Sequence, residues 1–333
     1  MPSPSPHTPA PDTPAPDTPA PDTPAPHTPA DVVVLCQHAD SIPRIRARFP
    51  ALEIVDIAGG IPDGIRGDVL FGGFGAPAAA AVAGGVRWVQ MIGTGVDGIS
   101  DEVRAVPTLT SSRGASAVPI SEYVVATMCA FARNFPANWL SSAPEHWNFQ
   151  TAAPLAGKTV GLFGFGGIAQ RVARVALALE MKVVALRRQP APSPLDGVEM
   201  VHSLPDLMAA SDHLVVAAPA TDATRHAINA ETLRHLRPGA HLVNIARGSL
   251  IDQEALRTAL DDGTVARASL DVTDPEPLPA GHWLYTHERV FLTPHASWVG
   301  PPPFEASTQL FCDNLQRFLD GEPLHGVVGP DGY

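Results

Sequence analysis

Short apolar runs, separated by turn-forming glycines and by stretches with helical spacing, recur along the chain from residue 31 onward. Asp31–Cys36 (DVVVLC), Leu52–Ile57, Asp68–Phe71, Trp88–Ile92 and Thr108–Ser111 each read as a strand. Between them, Ser41–Phe49 and Ala76–Ala83 have helical character, the second ended by Gly84-Gly85, and Gly93-Thr94-Gly95 closes the fourth strand. Strand alternating with helix predicts a parallel sheet covered by helices. Pro119, which suits a first helical turn, opens a long helix over Ile120–Arg133 that is expected to cross into a second domain.

A second series starts at Lys158–Phe163 (KTVGLF). It continues through a Gly-rich turn, a helix over Ile168–Glu180 and a strand at Lys182–Leu186. Further strands are expected at Asp212–Ala217, His241–Ile245, Arg267–Asp271 and Val290–Leu292, with helices at Asn229–His235 and Asp252–Asp262. The amphipathic stretch Ser307–Leu319 is expected to return to the first domain. The predicted fold is therefore α/β, with two doubly wound parallel-sheet domains of Rossmann or flavodoxin type and a cleft between them. One domain comprises residues 31–117 and 301–333, the other residues 118–300.

Residues 1–30 break the pattern. They repeat Thr-Pro-Ala-Pro-Asp almost perfectly from Thr8 to Ala30 and carry twelve of the 36 prolines, with no Lys, Arg or large apolar side chain after Met1. Proline at every second or third position removes backbone donors and fixes φ, so neither helix nor sheet is expected. Nothing apolar offsets the ordering entropy either. The stretch reads as a disordered, polyproline-like tail, or as one added by the choice of start codon. It lacks the basic and apolar regions of a signal peptide.

Composition narrows the function. The net charge of −12 disfavours a nucleic-acid binder, although a local arginine cluster can still hold a small anion. No run of eighteen apolar residues predicts a membrane span. Cys36, Cys129 and Cys312 are scattered and odd in number, which fits a reducing, cytoplasmic setting and no disulfide framework. No metal site is evident.

The strongest local motif is Gly164-Phe165-Gly166-Gly167-Ile168-Ala169, after an apolar strand and at the start of a helix. Gly164 permits the tight turn, Gly166 lets the backbone approach a pyrophosphate, and Ala169 is small enough for helix–strand packing. A dinucleotide phosphate would then rest on the N–H groups of a helix start. This assigns residues 118–300 as the dinucleotide-binding domain and leaves residues 31–117 and 301–333 as the substrate-binding, catalytic one. The next strand ends in Arg187-Arg188, where an acid that bonds the ribose hydroxyls of NAD is usual. Two cations in place of that acid favour a 2′-phosphate, hence NADP(H) over NAD(H). The plainer reading is two solvated arginines at a strand end.

Three further segments carry candidate chemistry. Arg247 follows the strand of Val243-Asn244-Ile245-Ala246, Glu276 lies between two prolines in Asp274-Pro275-Glu276-Pro277, and His295 follows Leu292-Thr293-Pro294. Arg247 and His295 thus stand at the carboxyl ends of strands, where open α/β sheets place ligands. Reduction of a 2-oxo acid needs a proton donor, which a His paired with a carboxylate supplies. It also needs a planar fork for the carboxylate and carbonyl, which an Arg supplies. Each residue alone is as well read as a surface Arg, a loop acid or a structural His, and spacing does not decide.

These residues lie in stretches that resemble a known family. From about Lys158 to His295, GLFGFGGIAQ, NIARGSLIDQEAL, SLDVTDPEPLP and FLTPHAS closely resemble the D-isomer-specific 2-hydroxyacid dehydrogenases, particularly their glyoxylate and hydroxypyruvate reductases. The order and separations match too, whereas MIGTGVDGI and ISEYVVA in the first domain match more weakly. The resemblance implies that Arg247 binds the substrate carboxylate and carbonyl, that Glu276 pairs with His295, and that His295 is the acid/base. It implies substrate N–H contacts from Gly93, Thr94 and Gly95. It further implies a cofactor site of Gly164, Phe165, Gly166, Gly167, Ile168, Arg187, Arg188, Ala218, Pro219, Thr224, Ile245, Ala246, Arg247, Asp271 and His295, with Asp271 on the nicotinamide amide. A homodimer acting on a small 2-oxo or 2-hydroxy acid is expected.

Departures from the family pattern are Arg187 for the usual Asp, Gly98 where Asn is common, and Trp298 where a small residue is frequent. Glu276 argues against formate oxidation, for which the family's members carry Gln. The rival reading is a cofactor-sensing, corepressor-like binding protein on the same fold, its proline-rich tail recruiting a partner. Phosphite-type oxidation is a further enzymatic rival that no residue singles out.

Overall fold

The computed structural model describes residues 32–147, 152–300 and 304–329; the proline-rich stretch 1–30 lies outside the described residues. The first half of the chain builds a five-stranded parallel sheet. Its strands are β1 (Val33–Cys36), β2 (Glu53–Asp56), β3 (Val69–Gly72), β4 (Trp88–Met91) and β5 (Thr108–Thr110), in the order β2-β1-β3-β4-β5. The central strands β3 and β4 are buried throughout, as expected where helices cover both faces of a parallel sheet. Helices α1 (Ile42–Arg48), α2 (Gly75–Ala83) and α3 (Asp101–Arg104) connect them.

The long helix α4 (Ala117–Ala132) follows, with Pro119 in its first turn. Beyond it lies a seven-stranded parallel sheet of β6 (Thr159–Phe163), β7 (Lys182–Leu186), β8 (Val198–Val201), β9 (His213–Val216), β10 (Ala240–Asn244), β11 (Val265–Leu270) and β12 (Val290–Leu292). Its order is β12-β11-β10-β9-β6-β7-β8. The chain enters at β6, winds outward through β7 and β8, then crosses back to β9, so the strand order reverses between β6 and β9. A crevice at such a switch point is where open α/β sheets bind ligands. Helices α5 (Gly167–Ala178), α6 (Leu204–Ala210), α7 (Ala230–Leu233) and α8 (Gln253–Asp261) join these strands.

Each sheet carries an apolar cluster on either face. Ile120, Val124 and Met128 of α4 pack with Val172, Ala173 and Ala176 of α5 on one face of the larger sheet. The last helix, α9 (Glu305–Leu319), packs on the smaller sheet: Phe311 stacks on Phe71 with centroids 4.4 Å apart, and on Trp88 at 5.5 Å. Its buried Asn314 donates to Gln90 Oε1 at 2.9 Å.

Most element limits differ from expectation by one to three residues. The helix expected from Ile120 starts at Ala117, because Pro119 has no N–H to lose in a first turn. The helix expected over Asn229–His235 closes as the single turn α7. Strand β8 and helices α3 and α6 were not expected. β8 sits at the sheet edge, half exposed, and so lacks an apolar run. Both helices announce themselves only through caps, Ser100 accepting from Val103 N and Ser203 from Asp206 N.

Candidate active site

Gly164 leaves β6 at φ +95, a left-handed conformation that favours glycine, and its N–H donates to Leu186 O at 2.9 Å. A Cβ there would lie 2.6 Å from Ala218 N and 2.7 Å from Ala217 O, so the turn is pressed against the chain leaving β9 at the switch point. Gly166 caps α5 without a side-chain acceptor, and no heavy atom lies within 4 Å of a Cβ built at Gly166 or Gly167. Open space over an uncapped helix start is a cradle for a phosphate. These residues therefore fit a dinucleotide. Arg187 and Arg188 follow β7 directly, and Leu186 is in register with Phe163, which puts the arginine pair beside the glycine turn.

Arg247 is held at its backbone by buried Asn244, whose Oδ1 accepts Ala246 N at 3.0 Å and whose Nδ2 donates to Arg247 O at 2.9 Å. A Cβ on Gly248 would fall 1.9 Å from Thr273 C, so only glycine allows the Glu276 loop to pack there. The guanidinium reaches across to Asp97, in the loop after β4. Nε donates to Oδ2 at 2.6 Å and Nη2 to Oδ1 at 3.0 Å, while Nη1 donates to Ala246 O at 2.7 Å. Burial alone would raise the Asp97 carboxyl, but the Arg247 hydrogen bonds and charge outweigh it and hold the group below its ordinary value. Asp97 was not singled out in the sequence; its signal was an acid two residues beyond the Gly93-Thr94-Gly95 turn.

His295 and Glu276 meet, His295 Nδ1 lying 3.0 Å from Glu276 Oε2, with Thr273 N donating to Oε1 at 3.1 Å. His295 has φ +52, an unusual value for a non-glycine residue that costs about 1–3 kcal/mol and persists only when its surroundings impose it. Those surroundings are specific. His295 N donates to Asp271 O at 2.8 Å, and Trp298 Nε1 donates to His295 O at 2.8 Å. The Asp271 side chain, 1% exposed, accepts from Thr293 Oγ1 at 2.6 Å, Ala296 N at 2.8 Å and Ser297 N at 3.0 Å. Because the Thr293 hydroxyl donates there, Tyr123 of α4 donates in turn to Thr293 Oγ1 at 2.9 Å. Asn244, Thr293, Tyr123 and the Trp298 indole had given no sign in the sequence of bracing these loops, since each acts on a partner distant in the chain or through the main chain.

One cleft of about 1040 Å³ gathers most of the expected residues: Gly93, Thr94, Gly95, the turn from Gly164 to Ile168, Ala218, Pro219, Ile245, Ala246, Arg247 and His295 all line it, and Trp298 does too. Thr224, Asp271, Glu276, Arg187 and Arg188 stand outside that lining. Thr224 closes a turn by donating to Pro219 O at 2.7 Å, Asp271 braces from behind, and Glu276 reaches the cleft through His295. Among the described residues no group of three or more His, Cys, Asp or Glu is placed to hold a metal ion, and no helix is long and apolar enough to cross a membrane.

The class defined by this fold and site is a pair of parallel α/β domains with a dinucleotide-type turn and an Arg–Glu–His set at the strand ends between them. Residues 125–297 match the model of the NAD binding domain of D-isomer specific 2-hydroxyacid dehydrogenases, and the chain belongs to that family. It is 30% identical over 256 residues to glyoxylate/hydroxypyruvate reductase A of Serratia proteamaculans, covering 74% of this chain and 80% of that one. It is 32% identical over 251 residues to D-3-phosphoglycerate dehydrogenase of Methanocaldococcus jannaschii, covering 73% of this chain and 47% of the relative. The matched stretch spans about half the length of several such relatives. Among solved structures, a D-isomer specific 2-hydroxyacid dehydrogenase from Xanthobacter autotrophicus in complex with NADPH and MES superposes with a TM-score of 0.79. It is 28% identical, over 91% of this chain and 99% of that one.

Proposed function

We propose that the protein is an NAD(P)H-dependent reductase that converts a small 2-oxo acid into the 2-hydroxy acid, with Arg247, Glu276 and His295 as its catalytic set. The observation that carries this reading is the convergence of Arg247 and the Glu276-paired His295 on the cleft that also holds the uncapped glycine turn. Arg247 receives the carboxylate and carbonyl oxygen with its planar fork, aided by the N–H groups of Gly93, Thr94 and Gly95. His295 gives its proton to the carbonyl oxygen, and the Glu276 carboxylate, 3.0 Å from Nδ1, orients the ring. The nicotinamide, when bound, supplies the hydride. Its dinucleotide is held by Gly164 to Ile168, Ala218, Pro219, Ile245 and Ala246, with Asp271 and Thr224 contributing from behind the cleft wall.

NADP(H) is the preferred cofactor in this reading, because Arg187-Arg188 stands beside the turn where the ribose acid is usual. The relative solved with NADPH supports it. The remaining parts of the proposal are the two-domain division at residues 117–118 and 300–301, and a cytoplasmic homodimer. Three free cysteines support the compartment, and exposed Trp139, Leu140 and Trp147 support self-association.

Steady-state oxidation of NADPH and NADH at pH about 6.5–7.5, from the ordinary histidine value upward, with glyoxylate, hydroxypyruvate and larger 2-oxo acids tests the proposal. Turnover that is lost in Arg247→Ala and His295→Gln, with cofactor affinity retained, is the expected result. Tight cofactor binding without turnover on any oxo acid would favour the corepressor-like reading instead.

A further inference from the structure

We propose that Asp97 is a positioning residue for the reaction: it aims the Arg247 guanidinium by clasping its side edge from a loop of the smaller sheet. The proposal rests on the reading of Arg247 as the residue that receives the substrate carboxylate. Arg247 stands in the loop after β10 of the larger sheet and Asp97 in the loop after β4 of the smaller one, 150 residues apart in the chain. The two carboxylate oxygens take Nε and Nη2 at 2.6 and 3.0 Å, while Ala246 O takes Nη1 at 2.7 Å. Anchors on two sides of a planar fork fix both its position and its plane, which neither anchor does alone.

The approach is built in. A Cβ on Gly95 would lie 1.9 Å from Arg247 Nη2 and 2.7 Å from Asp97 Oδ1, so a larger residue there would push the pair apart. Asp97 and Arg247 are both partly exposed, with side chains 40% and 31% accessible, and Arg247 lines the cleft. An isolated pair so exposed contributes little to stability.

Electrostatics then separates affinity from orientation. The Asp97 charge opposes any anionic ligand brought to Arg247, so its presence weakens substrate binding. What it contributes is alignment, and a misplacement of about 1 Å in a positioning group can cost on the order of a hundredfold in rate. Removing the charge should therefore ease binding while harming turnover. A bridge that merely joins the two domains would leave that ratio alone.

The test is Asp97→Asn in the full-length chain, an isosteric change at a half-exposed site. Three quantities are read: kcat and KM for the best 2-oxo acid, the NADPH dissociation constant by fluorescence titration, and the melting temperature. The expected result is a kcat lowered at least tenfold with KM unchanged or lower, while cofactor affinity and melting temperature stay at the parent values. An unchanged kcat with a lower KM would mean that Asp97 competes with substrate for Arg247, and would overturn the proposal. Unchanged kcat and KM would reduce the pair to a passive bridge and overturn it equally. A parent enzyme silent on every oxo acid would instead remove the functional reading on which Asp97 depends.

Discussion

Acid should destabilise this protein through one buried histidine pair, and the size of the effect can be worked from the structure. His213 of β9 and His241 of β10 lie side by side with their Nδ1 atoms 3.2 Å apart, and His241 Nε2 sits 2.9 Å from Ser269 Oγ. An Nδ1–Nδ1 contact needs one ring to donate and the other to accept, so at least one must be neutral. Burial pushes His213 down to about 4, with Lys158 adding to the fall and Asp212 opposing it. Burial also drives His241 well below its ordinary 6.5, helped by His213 and Arg267. Folding therefore releases protons. The stability is fully present above the unfolded value of 6.5 and is lost as pH falls from there toward the folded values. For His213 the whole depression corresponds to about 3.4 kcal/mol at about 1.36 kcal/mol per unit, of which about 2 kcal/mol is gone by pH 5. His241 adds a loss of the same sign.

The assay is urea unfolding at pH 7 and at pH 5, on the parent and on His213→Gln, which cannot acquire a proton and leaves the His241–Ser269 contact in place. Carboxylates elsewhere titrate alike in both proteins, so the difference between their pH effects isolates one histidine. The variant should lose about 2 kcal/mol less than the parent between the two pH values. An equal loss in both proteins would refute the reasoning, whatever the absolute stability of the variant.

Other outcomes follow from the same geometry. Gly164→Ala should abolish measurable NADPH binding and cost at least about 1–2 kcal/mol of stability, since it forces a side chain into φ +95 and against Ala218; titration and urea melts check it. Glu276→Gln should lower kcat by about 10²-fold or more while leaving cofactor affinity unchanged, because the His295 ring loses the carboxylate that orients it; stopped-flow turnover and fluorescence titration measure the two. The double change Arg187→Ala with Arg188→Ala should raise the KM for NADPH at least tenfold and leave that for NADH nearly unchanged. A variant retaining its NADPH preference would dismiss the arginine pair as the selector.

The parts of the fold legible in the sequence were those written locally. β3 and β4 announced themselves because a strand covered on both faces is largely apolar along its length, and the Gly164 turn because its glycines, its strand and its helix are contiguous. β8 escaped because an edge strand need not be apolar, and α6 because its Ser203 cap and the Asp206 three residues on were its main marks. The candidate catalytic residues were a different case. Residue type and spacing left Arg247, Glu276 and His295 open to plain structural readings, and only agreement of several motifs in order lifted them out.

By itself the sequence determined the class of fold, the place of the dinucleotide turn and the identity of the family, since each depends on neighbours within about thirty residues or on motif order. Tertiary structure alone decided how the site is held. Asp97 clasps Arg247 across 150 residues, Asp271 and Trp298 pin His295 in a left-handed conformation through main-chain atoms, and Tyr123 of α4 reaches Thr293. Hydrogen bonds to the main chain leave no requirement on the identity of the residue they hold, and pairs between distant loops leave no period to read. They come into being only when the folded sheets bring their strand ends together.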